Sequence, residues 1–374
     1  MVSLARRNLF HDRLRFAITV AGVAFAVTLV LVQVGLFVGL LDKSTVTIRH
    51  ASADLWITSK ETPNIDFAHG FPETRVLRVR GTPGVARADN LLVQFMNIQL
   101  PSGAEEGCLV YALHDFRAWN LPWRVQGAEV DDLKRGDSIL MDRSAERRFG
   151  RFAIGDYREI VGRRFKIVGT TEDAVSFTTT PIVFMDYKRA QERLETLAGK
   201  AQYVLVKLEP GADPQQVKAE LRRRLPFNDV YTRDEWARRS RSYWIVSTGL
   251  GMNMGVTVFL GVLVGIVVVG QTLYTSAVEH VKEFGTVKAI GGSNLDIYRI
   301  LGEQALIAAV VGFGLGGLIS LLMRPAMAKL YLSVTISPAF AGAVFVGTLA
   351  MCLGAAMLSF RRVAAIDPAL VFRT

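Results

Sequence analysis

Read as a pattern of apolar and polar positions, the chain falls into two kinds of sequence. Four long windows are apolar with hardly a charge: Phe16–Leu41, about Ile245 to Ser276, Ala305–Met323 and Pro338–Phe360. Each meets the roughly 20 apolar residues that a helix needs to cross a bilayer. The first is far longer than the h-region of a signal peptide and is expected to be an uncleaved anchor. The second would run for 32 residues, roughly 48 Å at ~1.5 Å per residue, against ~30 Å of hydrocarbon. The first likewise continues without a breaker towards Ile48. Both are expected to project from the membrane as stalks.

The stretch between them, 43–244, has a different period. Strands are predicted at Leu55–Thr58, Arg75–Arg80, Leu91–Leu100, Cys108–His114, Ser138–Met141, Tyr157–Thr170, Ile182–Met185 and Tyr203–Leu208. In the last of these Val204, Val206 and Leu208 alternate with Leu205, Lys207 and Glu209, the period-two signature of a half-buried strand. Helices are predicted at Tyr187–Leu197 and Asp213–Leu225, the latter with Asp213 as N-cap and Pro214 in the first turn. The fold class is therefore a four-helix membrane protein with an α+β domain inserted between helices 1 and 2. Its parts are an amphipathic segment 1–15, helix 1 and stalk 16–42, the outer domain 43–244, and stalk with helix 2 at 245–276. A loop 277–304, helix 3 at 305–323, a short loop 324–337, helix 4 at 338–360 and a tail 361–374 follow.

Composition fits this division. Half of the 374 residues are hydrophobic and only 21% are charged, below the ordinary soluble share. The net charge of +10 changes meaning once the spans are drawn. Arg6, Arg7, Arg13, Arg15, Lys282, Lys288, Arg299, Arg361, Arg362 and Arg373 flank one side of the spans, and only Arg324 and Lys329 the other. By the positive-inside rule both termini and the 277–304 loop face the cytoplasm and 43–244 faces out. Nucleic-acid binding is not expected. No Asp, Glu, Lys, Arg or His falls at mid-span, as an ion-coupled carrier would require. Glycines recur at four-residue spacing instead: Gly35 and Gly39, Gly251 and Gly255, Gly261 and Gly265, Gly312 and Gly316. Such ridges let helices approach closely, within the chain or across a dimer.

Catalytic chemistry finds no foothold. The histidines His11, His50, His69, His114 and His280 are isolated, and the chain contains no H-E-x-x-H, C-x-x-C or P-loop spacing. No metal site, catalytic residue or cofactor is expected in this chain. Cys108 and Cys352 lie in segments of opposite environment and are not expected to pair. Arg222, Arg223 and Arg224 read as a solvated helix end, and Trp119, Pro122 and Trp123 as core.

The loop after the second span is the most specific feature. Val281, Phe284, Val287 (or Lys288) and Ile290 fall on one helical stripe, Glu279, Lys282 and Glu283 lie off it, and Gly291-Gly292 ends the helix. Its mixed charges suit a protein groove better than an anionic lipid surface. Glu279, Glu283, Phe284, Gly285, Lys288, Ala289, Ile290 and Gly291 match the E-x-x-x-E-(I/F)-G-x-x-(R/K)-A-(I/L)-G motif of ABC-transporter permeases of the MacB/FtsX/LolC group. The tail Arg361-Arg362-Val363-Ala364-Ala365-Ile366-Asp367-Pro368-Ala369 resembles the R-x-A-x-x-D-P-A ending common there. Leu140 to Ser144, Thr232 to Glu235, Tyr243 to Thr248 and Leu273 to Thr275 resemble the DevC-type members.

This resemblance covers essentially the whole chain. It implies a permease dimer in a bacterial inner membrane, with Glu279 to Gly291 seated in a separate ABC ATPase subunit that holds the ATP and Mg. Hydrolysis there would move the outer domains (mechanotransmission) in an exporter completed by a periplasmic adaptor and a TolC-like channel. The segment Val2–Arg13 would lie along the inner leaflet. Alternatives within the group are an FtsX-like scaffold that activates a periplasmic enzyme, and LolC-like lipoprotein release. The chain lacks the ATPase domain that MacB itself carries.

Overall fold

A computed structural model describes residues 13–279, 293–330 and 332–363. Its first helix, α1 (Arg13–Lys43), follows the charge-free window and carries three residues of charge-bearing sequence at its start. A turn at 44–45 then separates α1 from α2 (Val46–His50), so the helix does not run unbroken to Ile48. Strand β1 (Leu55–Ser59) and the short β2 (Phe71–Pro72) follow. Residues 75–80, expected as a strand, form a helix, α3 (Arg75–Arg80). Val76 and Val79 are its buried side chains and Leu77 is exposed, an i, i+3 pattern that a six-residue window cannot separate from alternation.

The sheet strands come next: β3 (Val85–Gln99), β4 (Glu105–Leu113) and β5 (Ser138–Asp142). A short helix α4 (Glu146–Phe149) precedes β6 (Tyr157–Ile160) and β7 (Arg163–Thr171). The single strand expected over 157–170 is thus a hairpin. Its two turn residues, Val161 and Gly162, have φ of 50° and 72°, the left-handed pair that a two-residue hairpin turn needs. Then come β8 (Ile182–Asp186), α5 (Tyr187–Arg193) with a 3₁₀ turn at Glu195–Leu197, β9 (Lys200–Ala201) and β10 (Tyr203–Leu208). The head ends with α6 (Pro214–Arg224), β11 (Asn228–Thr232) and α7 (Arg233–Ser242). Asp213 caps α6 by accepting from the Gln215 amide. Thr232 and Glu235 form a reciprocal capping box on α7, which places a helix that alternation-based reading missed.

A π-turn (Tyr243–Ser247) and Gly249, at φ 71°, precede α8 (Leu250–Glu279). The second apolar helix therefore begins at Leu250 rather than near Ile245. Helices α9 (Asn294–Ala328) and α10 (Pro338–Val363) complete the chain. Four helices, α1, α8, α9 and α10, are long and apolar enough to cross a membrane, and the α+β domain is inserted between the first two. Contacts divide the chain into one compact unit from Leu40 to Leu250 and another combining the described residues up to Gly39 with those from Gly251.

In the head unit, nine strands run in the order β11-β1-β10-β3-β4-β8-β5-β7-β6, and β6 also pairs with β3 through Ile98↔Ile160. Six strands thereby close into a small barrel, with β3 long enough to serve both barrel and open sheet. Alternation does the filling: Cys108, Val110 and Ala112 of β4 join Ile139, Phe165, Ile167, Val183 and Met185 in one cluster. The intervening Leu109, Tyr111 and Leu113 face a second cluster with Trp56, Trp119, Phe184 and Trp236. A third cluster lies where α3 and α6 cover β1 and β10, around Ile57, Val79, Val204 and Leu221. Trp119 and Trp123 are core, and Trp119 Nε1 donates to Asp89 at 2.8 Å.

Candidate functional site

Of the eight residues in the loop motif that follows the second apolar helix, Glu279 alone lies within the described residues, at the last position of α8. Glu283, Phe284, Gly285, Lys288, Ala289, Ile290 and Gly291 lie outside them, as do Val2 to Asp12 and the tail from Ala364. Glu279 forms an ion pair with Arg15, in the first turn of α1, accepting from both terminal guanidinium nitrogens, Nη1 and Nη2. The motif thus starts where the first and second apolar helices are tied together. The two side chains keep 33% and 50% of their surface exposed, so the pair contributes little to stability and its geometry is the informative part. In the sequence Arg15 bears only on topology. Its pairing with a residue 264 positions away had no local signal.

Six of the eight ridge glycines meet neighbours inside this unit. A Cβ on Gly312 would come within 2.5 Å of Val23 Cγ1, and one on Gly316 within 2.7 Å of the Ala24 carbonyl oxygen. Gly261 and Gly265 of α8 approach Leu29 and Ala26 of α1, and Gly265 also meets Met351 Sδ of α10. Gly35 and Gly39 lie against Val334 and the Ser333 carbonyl, and the Gly35 carbonyl accepts from the Thr335 amide at 2.9 Å. Helix α1 is therefore the surface on which α8 and α9 set their glycines, with Val23, Val27 and Leu31 in the buried cluster beside Val269, Ala305, Ala309 and Cys352. Gly22 belongs to the same set, its Cβ position 2.4 Å from Val268 Cγ1. A search for glycine pairs misses it, whereas the small-residue pair Gly22 and Ala26 would find it. Gly255, by contrast, faces open space.

Polar groups are few in the described part of this unit. Thr28 Oγ1 donates to the Gly316 carbonyl at 3.2 Å, and Ser320 Oγ to the same oxygen at 2.7 Å. Gln304 is 2% exposed with no partner for its Oε1. Among the described residues no group of three or more His, Cys, Asp or Glu could hold a metal ion. Both cysteines are free and buried. Burial pushes the Cys108 thiol up to about 12, so it stays protonated.

Comparison with known proteins meets the same two-part layout. A family model described as the MacB-like periplasmic core domain matches residues 16–224, and one described as the FtsX-like permease C-terminal matches 255–368. An uncharacterized ABC transporter permease of Mycobacterium tuberculosis is 26% identical over 365 residues, 96% of this chain and 95% of its own. A second from the same organism is 24% identical over 377 residues, 100% and 99% of the two chains. Among solved structures, the periplasmic region of MacB from Actinobacillus actinomycetemcomitans is similar at TM-score 0.40 and 11% identity, covering 50% of this chain and 92% of that one. The extracellular domain of the noncanonic ABC-type transporter YknZ from Gram-positive bacteria gives 0.36 and 14%, covering 48% and 99%.

Proposed function

The chain belongs to the MacB/FtsX family of ABC transporter permeases, and from that premise we propose that it is the permease subunit of an ATP-driven exporter whose ATPase is a separate chain. Glu279 to Gly291 would sit in a cleft of that ATPase. Glu279 and Glu283 flank the apolar stripe, Phe284 and Ile290 fill the groove, and Gly285 and Gly291 let the backbones approach. Lys288 and Ala289 complete the seat. ATP and Mg would be held by the partner. The chain itself would act as a homodimer in a bacterial inner membrane, termini inside and the 43–244 domain outside, where a periplasmic adaptor and a TolC-like channel would receive its motion.

One observation carries the reading: the motif starts at a residue bound to the first turn of α1, the helix against which α8 and α9 place their glycines. A push on the loop would then be delivered to that helix rather than dissipated in a free linker. The test is co-purification from the native membrane followed by reconstitution. The chain alone should hydrolyse no ATP, and a P-loop subunit should accompany it. Glu283→Lys and Gly285→Trp should insert normally but abolish ATP-dependent transport. Normal transport by both variants would refute the assignment.

A further inference from the structure

The head unit contains a buried carboxylate that none of the above uses. Asp66 lies on the loop between β1 and β2. Part of the residue reaches the surface, but its Oδ2 is sealed and has no hydrogen-bond partner. Its own amide and that of Phe67 both donate to Asn64 Oδ1, at 2.8 and 3.0 Å, which fixes the loop's turn. The Tyr203 hydroxyl donates to the carbonyls of Asn64 and Ile65 from beneath. Across from it runs the loop between β7 and β8, whose Phe177 backbone amide is close enough to the Asp66 carboxylate to favour its charged form.

Both loops then close on one side chain. The Phe177 ring stacks on Trp244 with centroids 3.9 Å apart and planes 13° from parallel. Phe67, the neighbour of Asp66, meets the same indole at 5.9 Å and Tyr243 at 6.1 Å. Trp244 is 6% exposed and its Nε1 finds no acceptor. It sits on the π-turn, five residues before the left-handed Gly249. π-turns inside helices are uncommon and concentrate at functional positions. A second tie joins the Ile65 amide to Ser240 Oγ, at 3.4 Å.

We propose that Asp66 and the aromatic sandwich of Phe67, Trp244 and Phe177 form a proton-responsive latch: with Asp66 neutral the two loops grip Trp244, and with Asp66 charged they release it. The cause is solvation. A charged carboxylate with a sealed oxygen gains by reaching water, and lifting the loop that carries Phe67 would bring that oxygen to water. Burial raises Asp66 to about 7, against the opposing pull of the Phe177 amide. An opened loop would return it to the ordinary value near 3.8. The closed latch thus binds the proton more tightly than the open one. Closure is favoured at low pH, and opening grows by up to about tenfold per pH unit until it levels off near pH 7.

The neighbouring groups leave this titration to Asp66. The phenols of Tyr111 on β4 and Tyr203 on β10 are held neutral by burial. Arg239 of α7 donates to the Thr62 carbonyl at 3.0 Å, and Arg241 pairs with Asp42. Lys43 faces Asp173 and Asp142.

Hydrogen exchange of the full-length protein in lipid nanodiscs, corrected for the intrinsic pH dependence, tests the latch. Protection of amides 64–67 and 174–180 should fall about tenfold per unit from pH 5 to 7 and flatten above it. Asp66→Asn should stay protected with no slope. Trp244→Phe should keep protection and slope, whereas Trp244→Ala should lose protection in both loops at every pH. Strand 105–113 serves as the folding control in each variant. A flat wild-type profile, a slope retained in Asp66→Asn, or undiminished protection in Trp244→Ala would each overturn the proposal. None of these readouts needs an ATPase or a transported substrate, so the latch stands or falls apart from the export assignment.

Discussion

Lys218 of α6 and Glu235 of α7 offer the sharpest test of how the head is held. Lys218 Nζ lies 2.6 Å from each oxygen of Glu235, and Glu235 Oε2 also accepts from the Thr232 amide at 2.8 Å as half of the capping box. The exposures differ: 9% for the lysine side chain, 30% for the glutamate. Glu235→Gln keeps an acceptor for the Thr232 amide but strands an ammonium with almost no access to water. It should cost about 3 kcal/mol, the lower end for a broken buried pair. Lys218→Met leaves a carboxylate that still has its amide partner and some water, and should cost about 1–2 kcal/mol. The double variant should fall short of the sum by about 1–2 kcal/mol. In a unit of this size about 3 kcal/mol corresponds to roughly 6–12 °C in Tm. Thermal unfolding of the full chain in detergent, followed through buried Trp236, reads all three. The pH direction is also set. Burial raises the Glu235 pKa, but Lys218 and Thr232 outweigh it and hold the group low. Its stabilisation is therefore full above the ordinary Glu value and is lost as pH falls through the lower folded value. Equal costs for the two single variants, or strict additivity in the double, would refute the reasoning.

Three other outcomes follow from the geometry. Gly316→Ala should destabilise the membrane unit by about 1–3 kcal/mol, because its Cβ meets the Ala24 carbonyl, while Gly317→Ala, facing open space, should be neutral in the same thermal assay. Cys108 is fully buried with its thiol pushed up to about 12, so alkylation at pH 8 should be at least about 10³-fold slower than for a free thiol and should appear only with denaturant. Asp142→Ala removes the acceptor for the Ser144 amide, the Thr171 hydroxyl and the Ala174 amide, and should cost about 3 kcal/mol or more in chemical denaturation. Asp142→Asn should recover part of that cost.

The apolar windows and the inserted domain were legible because each rests on a property summed over many residues. Hydropathy over 20 positions survives any local error, and so did the alternation of β10, whose Val204 and Val206 face one cluster and Leu205 another. What failed was read from six residues or fewer. The helix at Arg75–Arg80 and the split of 157–170 each depended on one turn's worth of sequence. In the first case two valines three apart fit either period, and in the second Val161 adopts a left-handed conformation that its own side chain disfavours. The start of α8 was misplaced because Ile245 and Val246 are apolar, and hydropathy does not register a π-turn or a positive φ at Gly249. The capping box of Thr232 and Glu235 is visible in the sequence as T-x-x-E. The Arg15–Glu279 pair and the Asp66 site join segments distant in sequence, and no periodicity marks them.

The glycine ridges bear on assembly as well. Their spacing alone left open whether they pack helices of one chain or of two. The ridges at Gly35/Gly39, Gly261/Gly265 and Gly312/Gly316 are all occupied by side chains or backbone of the same chain, and most of those contacts are made on α1. A second protomer therefore finds no vacancy on these faces. The glycines with open space beside them are others, among them Gly255 on α8, Gly314 and Gly317 on α9, and Gly347 and Gly354 on α10. Each lies on a helix whose exposed side is apolar, with Met252, Val256 and Phe259 on α8 and Leu318 and Leu321 on α9. In lipid such side chains gain nothing by leaving the bilayer, so close backbone approach is what remains to favour one apolar partner over another. If the proposed dimer packs through glycines, substitutions that separate a protomer from its copy should map to the open glycines while those that unfold the protomer map to the filled ones.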